Sequence, residues 1–349
     1  MLNLHQAVSE TRSTLKWGGI TVVILLVIFF LYRGGQFIYS LLAPPPPPTV
    51  AFGKLPPIVF PESKVQKKLS FAIDTLTGSL PGFSDRATIN SITQPQPNIL
   101  ALSRAQQRVE NSGFLSSGNA LSTSVYQWDE TDSQTQLSRT LIANILTFNF
   151  TMTSSFLSNE EVIKAESLPQ EQEAIDLAKQ FFTDLSSYPQ DIDESKTTTA
   201  LFAIQDGTLV PADSFSDAQI VRVDFFQKDV NQSPLMYPNY PESTINAYVG
   251  SGGFNGQVVQ AEFIHHPISD IIATYPIKTA QEAFDDLQKG QGYIVSYGGS
   301  GTKVGITKVY LGYYAGRLDQ NYLMPIAVFE GKDNFLAYVS SVKNECVGK

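Results

Sequence analysis

The run Trp17–Leu31, WGGITVVILLVIFFL, carries no charge and constrains the chain more than any other feature. β-Branched and aromatic residues surround the whole circumference of a helix built from it, so it has no polar face to offer water. Its 15 residues fall short of the roughly 20 that cross a bilayer. Apolar character resumes after Arg33, with Phe37, Ile38, Tyr39, Leu41 and Leu42. A transmembrane helix over 15–42, with Arg33 snorkelling to the interface, satisfies the length, and its partner is the lipid bilayer. Trp17, Tyr32 and Tyr39 suit the interfacial belts. Cleavage as a signal peptide is disfavoured because prolines follow Ala43 directly. Arg12 and Lys16 precede the span and only Arg33 follows it closely. This places a cytoplasmic N-terminus over 1–14 and the large remainder outside.

Pro44–Pro48 is a five-proline run, which forms a stiff polyproline II rod of about 3 Å per residue. Pro56, Pro57 and Pro61 continue the extended character, giving a proline-rich stalk over 43–61. Of the 24 Lys and Arg, Arg12, Lys16 and Arg33 precede Pro44, and of the 33 acids only Glu10 does. The chain beyond carries 21 bases against 32 acids, a net charge of −11. Such a surface lacks the basic excess that tracks phosphates, so nucleic acid is excluded as a partner. A single cysteine, Cys346, allows no intramolecular disulfide and no thiolate zinc cluster.

Beyond the stalk the pattern alternates between periods of 3.6 and 2. Asn98–Asn111 predicts a helix with Ala101, Ala105 and Val109 inward and Gly113 as its stop. Gln136–Phe156 predicts a long strand. Leu168–Ser186 predicts a second helix striped by Ala174, Ala178, Phe181, Phe182 and Leu185, with Ser167 and Gln170 as a capping box. Asp206-Gly207 marks a hairpin turn. Val221, Val223 and Phe225 alternate with Arg222 and Asp224, and Val259, Ala261 and Phe263 with Gln260 and Glu262. A third helix over Ala280–Lys289 has Thr279 and Glu282 as its capping box. The segments 305–315, 322–330 and 334–342 form an antiparallel meander, because their loops are too short for crossovers. The fold class is α+β, with tandem modules of antiparallel sheet packed with a helix. The expected division is 62–158 for the first module and 159–349 for the second and third, split near 270.

Catalytic chemistry has few carriers. His265 and His266 are neighbours at a strand end and point to opposite faces, so they cannot readily share a metal. No G-x-S-x-G elbow accompanies them. Gly298-Gly299-Ser300-Gly301 lacks the phosphate-loop order, and a strand pattern follows it. Gly250–Gly253 is a turn cluster. Asp191, Asp193 and Glu194 lack the glycine and distal glutamate of an EF-hand, and read as a solvated acidic loop. No catalytic residue, cofactor site or metal site is assigned. The well-stocked resource is aromatic, with 15 Tyr and 22 Phe. Tyr237-Pro238-Asn239-Tyr240-Pro241 places two tyrosines in a loop, and Tyr237 and Tyr240 are candidate partner-binding residues.

Near the C-terminus, Thr279–Ala283 opens a helix and Val309–Tyr314 lies in a strand. Tyr322–Gly331 and Phe335–Val339 follow. This texture resembles the C-terminal region of the YycH/YycI regulatory proteins and, more loosely, PepSY-type modules. The resemblance covers about a fifth of the chain. It implies one membrane helix, an extracytoplasmic α+β domain, and binding of other envelope proteins in place of catalysis. The proline stalk and the segment 49–97 depart from that family. The expectation is an anchored, non-enzymatic regulatory protein of a bacterial cell envelope with an envelope or membrane protein partner. The alternatives are an anchored envelope hydrolase using carboxylates or His265/His266, and a structural subunit of a secretion or adhesion complex.

Overall fold

A computed structural model describes residues 26–33, 48–133, 136–163, 168–251 and 257–348. In chain order the strands begin with β1 (Ser70–Ile73), β2 (Arg86–Ile92), β3 (Asn119–Ala120), β4 (Val125–Thr131), β5 (Ser138–Asn144) and β6 (Phe150–Ser154). Next come β7 (Thr198–Gln205), β8 (Thr208–Pro211), β9 (Ile220–Phe225), β10 (Leu235–Met236), β11 (Ile245–Gly250) and β12 (Gln257–Phe263). The last are β13 (Ile268–Pro276), β14 (Tyr293–Ser296), β15 (Lys303–Tyr314), β16 (Tyr322–Gly331) and β17 (Phe335–Ser340). Beyond residue 48 the helices are α1 (Ala101–Asn111), α2 (Glu160–Ile163), α3 (Glu171–Asp184) and α4 (Ala280–Gln288).

The strands make two mostly antiparallel sheets. One has nine strands, ordered β3-β4-β5-β6-β12-β11-β9-β7-β8. The other has eight: the path β1-β15-β16-β17-β14, with β2 joining β16, β13 joining β2, and β10 joining β15. The fold class is therefore α+β, as the periodicity implied. The sheets do not follow the expected division at 158 and 270. β1 and β2 pair with β15, β16 and β13, so residues 70–92 belong with the C-terminal strands. Short-range patterning identifies a strand but not a partner some 200 residues away.

In the nine-stranded sheet, Val221, Val223 and Phe225 of β9 line up with Val249, Ala247 and Ile245 of β11. That face packs on Ala174, Ala178 and Phe182 of α3. Phe150 stacks on Phe263 with centroids 5.4 Å apart, and Phe182 meets Phe225 edge-on at 5.9 Å. A register shift between Tyr248 and Val249 of β11 corrects one expected face. Val258 joins the α3-side core, while Val259 packs with Ile220 on the other side. The predicted strand 136–156 is likewise two strands. Asn144 Oδ1 accepts the Leu146 N–H at 2.9 Å and Phe148 takes φ +57°, so the asparagine bends the chain into a hairpin. The Asp206-Gly207 turn joins β7 to β8 as expected, with φ +50° and +72°.

α3 starts three residues later than the periodicity suggested. Its box is Gln170 with Glu173, whose carboxylate accepts the Gln170 N–H at 3.0 Å, and Ser167 lies outside the described residues. α4 uses the predicted box. Thr279 Oγ1 accepts the Glu282 N–H at 3.2 Å, and Glu282 accepts the Thr279 N–H at 2.7 Å. Its Ala283, Phe284 and Leu287 pack on Phe329 and Val339.

The expected stalk needs correction. Residues 44–47 lie outside the described residues, but the chain from Pro48 on belongs to the folded unit. Phe52 stacks on Tyr322 at 4.8 Å, Leu55 is fully buried, and Phe60 meets Tyr314 at 4.8 Å. The Leu55 N–H donates to the Cys346 carbonyl at 2.9 Å, and the Gly348 N–H donates to the Leu55 carbonyl at 2.7 Å. These large apolar residues make 48–60 a strap along the eight-stranded sheet; burying each such side chain contributes about 1.5–3 kcal/mol.

Residues 26–33 are helical, and their apolar side chains run from 50 % exposed at Leu26 to 70 % at Leu31. Among the described residues no helix is long and apolar enough to cross a membrane. Trp17 and the rest of the expected span lie outside them.

Candidate functional site

The two sheets meet at a joint that holds Tyr237, Tyr240, His265 and His266. β10 runs parallel to β15, with Leu235 opposite Tyr313 and Met236 opposite Tyr314. This pairing carries the chain that follows β10 across the sheet. Tyr237 consequently enters a core with Phe226, Leu235, Tyr313, Ala315 and Leu323. It is 1 % exposed, its hydroxyl accepts the Gln227 N–H at 3.1 Å, and its carbonyl accepts the Tyr338 hydroxyl at 3.1 Å. Burial pushes its phenol up to about 12, so it stays neutral. The structure thus removes Tyr237 from any contact surface. Tyr240, three residues on, is 38 % exposed.

The histidines anchor a polar network at the same joint. His265 Nε2 donates to Asp191 at 2.9 Å. Gln227 Nε2 donates to the other Asp191 oxygen at 2.8 Å and to the His266 carbonyl at 3.0 Å. His266 is 3 % exposed and its Nε2 donates to the Gly316 carbonyl, 2.7 Å away, in the β15–β16 loop. Burial holds His266 below its ordinary pKa and keeps it neutral. Burial also works against the Asp191 charge, but hydrogen bonds from His265 and Gln227 outweigh it and keep that carboxyl below the usual range. A cavity of about 190 Å³ opens beside the histidines, bordered by Asn149, Asp319 and Gln320. Each imidazole's recorded ring partner is a carboxylate or a carbonyl, and neither is bonded to a described hydroxyl or thiol nucleophile. Catalysis of the Ser-His-Asp type needs that third group.

The acidic loop diverges into separate contacts. Asp191 faces His265, Asp193 accepts from Ser195, and Glu194 pairs with Lys179. Among the described residues no group of three His, Cys, Asp or Glu is placed to hold a metal ion. The 298–301 loop leads into β15, and Lys67 Nζ donates to the carbonyls of Gly299 and Ser300 at 3.3 Å. Gly250 ends β11, and residues 252–256 lie outside the described residues.

A charge cluster, not singled out from the sequence, sits on the second face of β9, β11 and β12. Arg222 and Asp224 are 4 % and 5 % exposed and pair at 2.8 Å. Arg222 also reaches Glu242 at 2.9 Å. Glu262 receives Arg317 of the opposite sheet's loop through two bonds of 2.6 and 2.9 Å. The polar half of the β9 and β12 alternation was the available signal. It marked a face, but gave no hint that Glu242, Ser243 and Arg317 close over it.

Beside Tyr240 lies a groove of about 350 Å³. Phe226, Pro234, Leu235 and Pro241 give it apolar walls, and Lys196 and Asp229 stand at its edge. Its size falls in the range of about 300–1,000 Å³ typical of ligand sites. It brings together chain from the β7 and β9 ends of one sheet and from the β10 side of the other.

No protein-family model and no curated protein matches the chain, so the likeness to YycH/YycI proteins gains no family match. Solved structures similar to it include the Bacillus megaterium YpeB C-terminal domain. The overlap has TM-score 0.34 and 12 % identity, covering 72 % of this chain and 100 % of that one. Another is an uncharacterised protein from Eubacterium rectale, with TM-score 0.34 and 14 % identity, covering 75 % of this chain and 79 % of that one. Neither overlap is close enough to carry function across.

Proposed function

We propose that this chain is a single-pass, membrane-anchored extracytoplasmic protein that binds and regulates another envelope component without catalysis. The observation that carries the reading is the exposed Tyr240 beside the apolar groove at the joint of the sheets. An aromatic ring at such an edge offers large contact area for little rotamer entropy. His265, His266 and Asp191 are committed to internal contacts, and this favours recognition over catalysis as the chemistry of the joint. The exposed apolar side chains of 26–33 suit a lipid environment and support the anchor. The hydrolase alternative requires His265 or His266 to leave a bonded position, and the complex-subunit alternative differs chiefly in stoichiometry.

The full-length chain is expected to stay in the membrane pellet through an alkaline carbonate wash. Protease added outside intact cells is expected to degrade the acidic domain, and chemical cross-linking in those cells to capture an envelope protein. Release by carbonate sinks the anchor, protection from outside protease reverses the orientation, and cross-linking that captures no protein counts against binding.

A further inference from the structure

We propose that the outer edge of β13, at Ile271 and Ile272, seats on the surface of the bilayer that holds the anchor. This rests on the anchor reading above and goes beyond it, since a span by itself leaves the acidic domain free to tumble at the end of its tether. Two observations lead to it, a projection and the point where the chain enters the fold.

The projection is a bulge. Ile268 stands opposite Ile92 and Ile272 opposite Asn90, so residues 269–271 of β13 face the single residue Ser91 of β2. Asn90 Nδ2 donates to the Ser269 carbonyl at 3.2 Å, and the Ile271 N–H donates to Ser269 Oγ at 3.1 Å, which fixes the loop. It leaves Ile271 64 % and Ile272 54 % exposed. Two adjacent branched side chains on one projection present apolar area that contact with lipid removes from water.

The entry point says what covers them. Thr49, at the start of the folded unit, is pinned to the same strand. Its N–H donates to Thr274 Oγ1 at 3.0 Å, the Thr274 N–H donates to Thr49 Oγ1 at 3.0 Å, and the Val50 N–H donates to the Thr274 carbonyl at 3.0 Å. Val50 takes φ +45°, a region that β-branched residues rarely adopt, so the turn is held against strain. Thr274 is two residues from Ile272, about 7 Å along the strand. Thr49 lies seven residues beyond Leu42, where the expected span ends, and that length of chain reaches at most about 25 Å. The tether therefore holds this edge at high effective concentration beside the headgroups. Ile99 and Leu115 are also exposed, but they lie just before α1 and before β3, beside residues that pack in the nine-stranded sheet's core. Asp270 on the projection and the net −11 beyond Pro44 give no attraction to anionic headgroups, so the contact is apolar.

The test uses the full-length chain in phosphatidylcholine vesicles. Ile271→Cys, Ile272→Cys and Leu115→Cys, each combined with Cys346→Ser, carry a nitrobenzoxadiazole fluorophore on the new thiol. Phosphatidylcholine with a doxyl quencher just below its headgroup is expected to dim the labels at 271 and 272 by about twofold or more and to leave the label at 115 unchanged. With the label at 272, Ile271→Asp should remove most of the dimming. Replacing part of the lipid by phosphatidylglycerol should not strengthen it, because the edge brings no positive charge. Equal dimming at all three positions, none at 271 and 272, or dimming that needs the anionic lipid overturns the proposal. Labels shielded from iodide in water yet untouched by the doxyl lipid mean that protein covers this edge, and overturn it too. A chain that survives the carbonate wash without dimming loses this inference and keeps its anchor, whereas one released by the wash loses both.

Discussion

Tyr237→Ala is expected to lower the urea midpoint by the equivalent of about 3–5 kcal/mol, while Tyr240→Ala moves it by less than about 1 kcal/mol. The two tyrosines are three residues apart and look alike in sequence. Tyr237 is buried to 1 %, meets Phe226 edge-on at 5.8 Å, and sits among residues of both sheets. Its removal leaves a cavity at the joint and strips the Gln227 N–H of its acceptor. Tyr237→Phe isolates the second part and should cost about 1–3 kcal/mol. The slope of the unfolding curve should stay constant across the three variants, because the surface exposed on unfolding is the same. Equal losses at 237 and 240 would mean that the loop is not seated as described.

Arg222→Met is expected to destabilise the protein by about 3–5 kcal/mol at neutral pH, because it leaves Asp224 buried without its cation. Burial pushes Asp224 up to about 6 even with Arg222 and the Ser243 N–H beside it. A carboxyl raised above its unfolded value favours the folded state only when protonated. That contribution is present below the unfolded pKa and is lost as pH rises through the folded one. Without Arg222 the folded value rises further, so the penalty should grow as pH rises above about 6, where Asp224 ionises in the parent protein, and level off at its smallest value below that. His266 works in the opposite sense, since its folded value is depressed and stability through it is lost on acidification. It is common to both proteins and cancels in their difference. Arg222→Met/Asp224→Asn keeps an acceptor for the Ser243 N–H and should recover much of the loss. A pH-independent difference in midpoints, or a double variant no better than the single one, would contradict this account of the cluster.

The local periodicities were legible in the sequence and the long-range pairings were not. The stripe of α3, the Thr279/Glu282 box and the 303–340 meander follow from spacings within a dozen residues. The pairing of β1 with β15 does not, since a four-residue strand, SFAI, carries too little pattern to name a partner. The stalk expectation counted prolines and overlooked Phe52, Leu55, Ile58 and Phe60 between and beside them, which have a sheet to cover. The Arg222/Asp224 alternation was visible, but a polar half-strand ordinarily faces water, and here Glu242 and Ser243 fold back over it. Of the two candidate tyrosines, identical loop chemistry concealed opposite environments, because the register of β10 on β15 decides which one turns inward.

The most direct measurement is site-specific photo-cross-linking in intact cells from a benzophenone side chain placed at position 240. Leu76, fully exposed and in the loop after β1, serves as the reference position. The account predicts one discrete protein adduct from position 240 and none from position 76. Adducts of equal yield from both positions, or none from position 240, would contradict it.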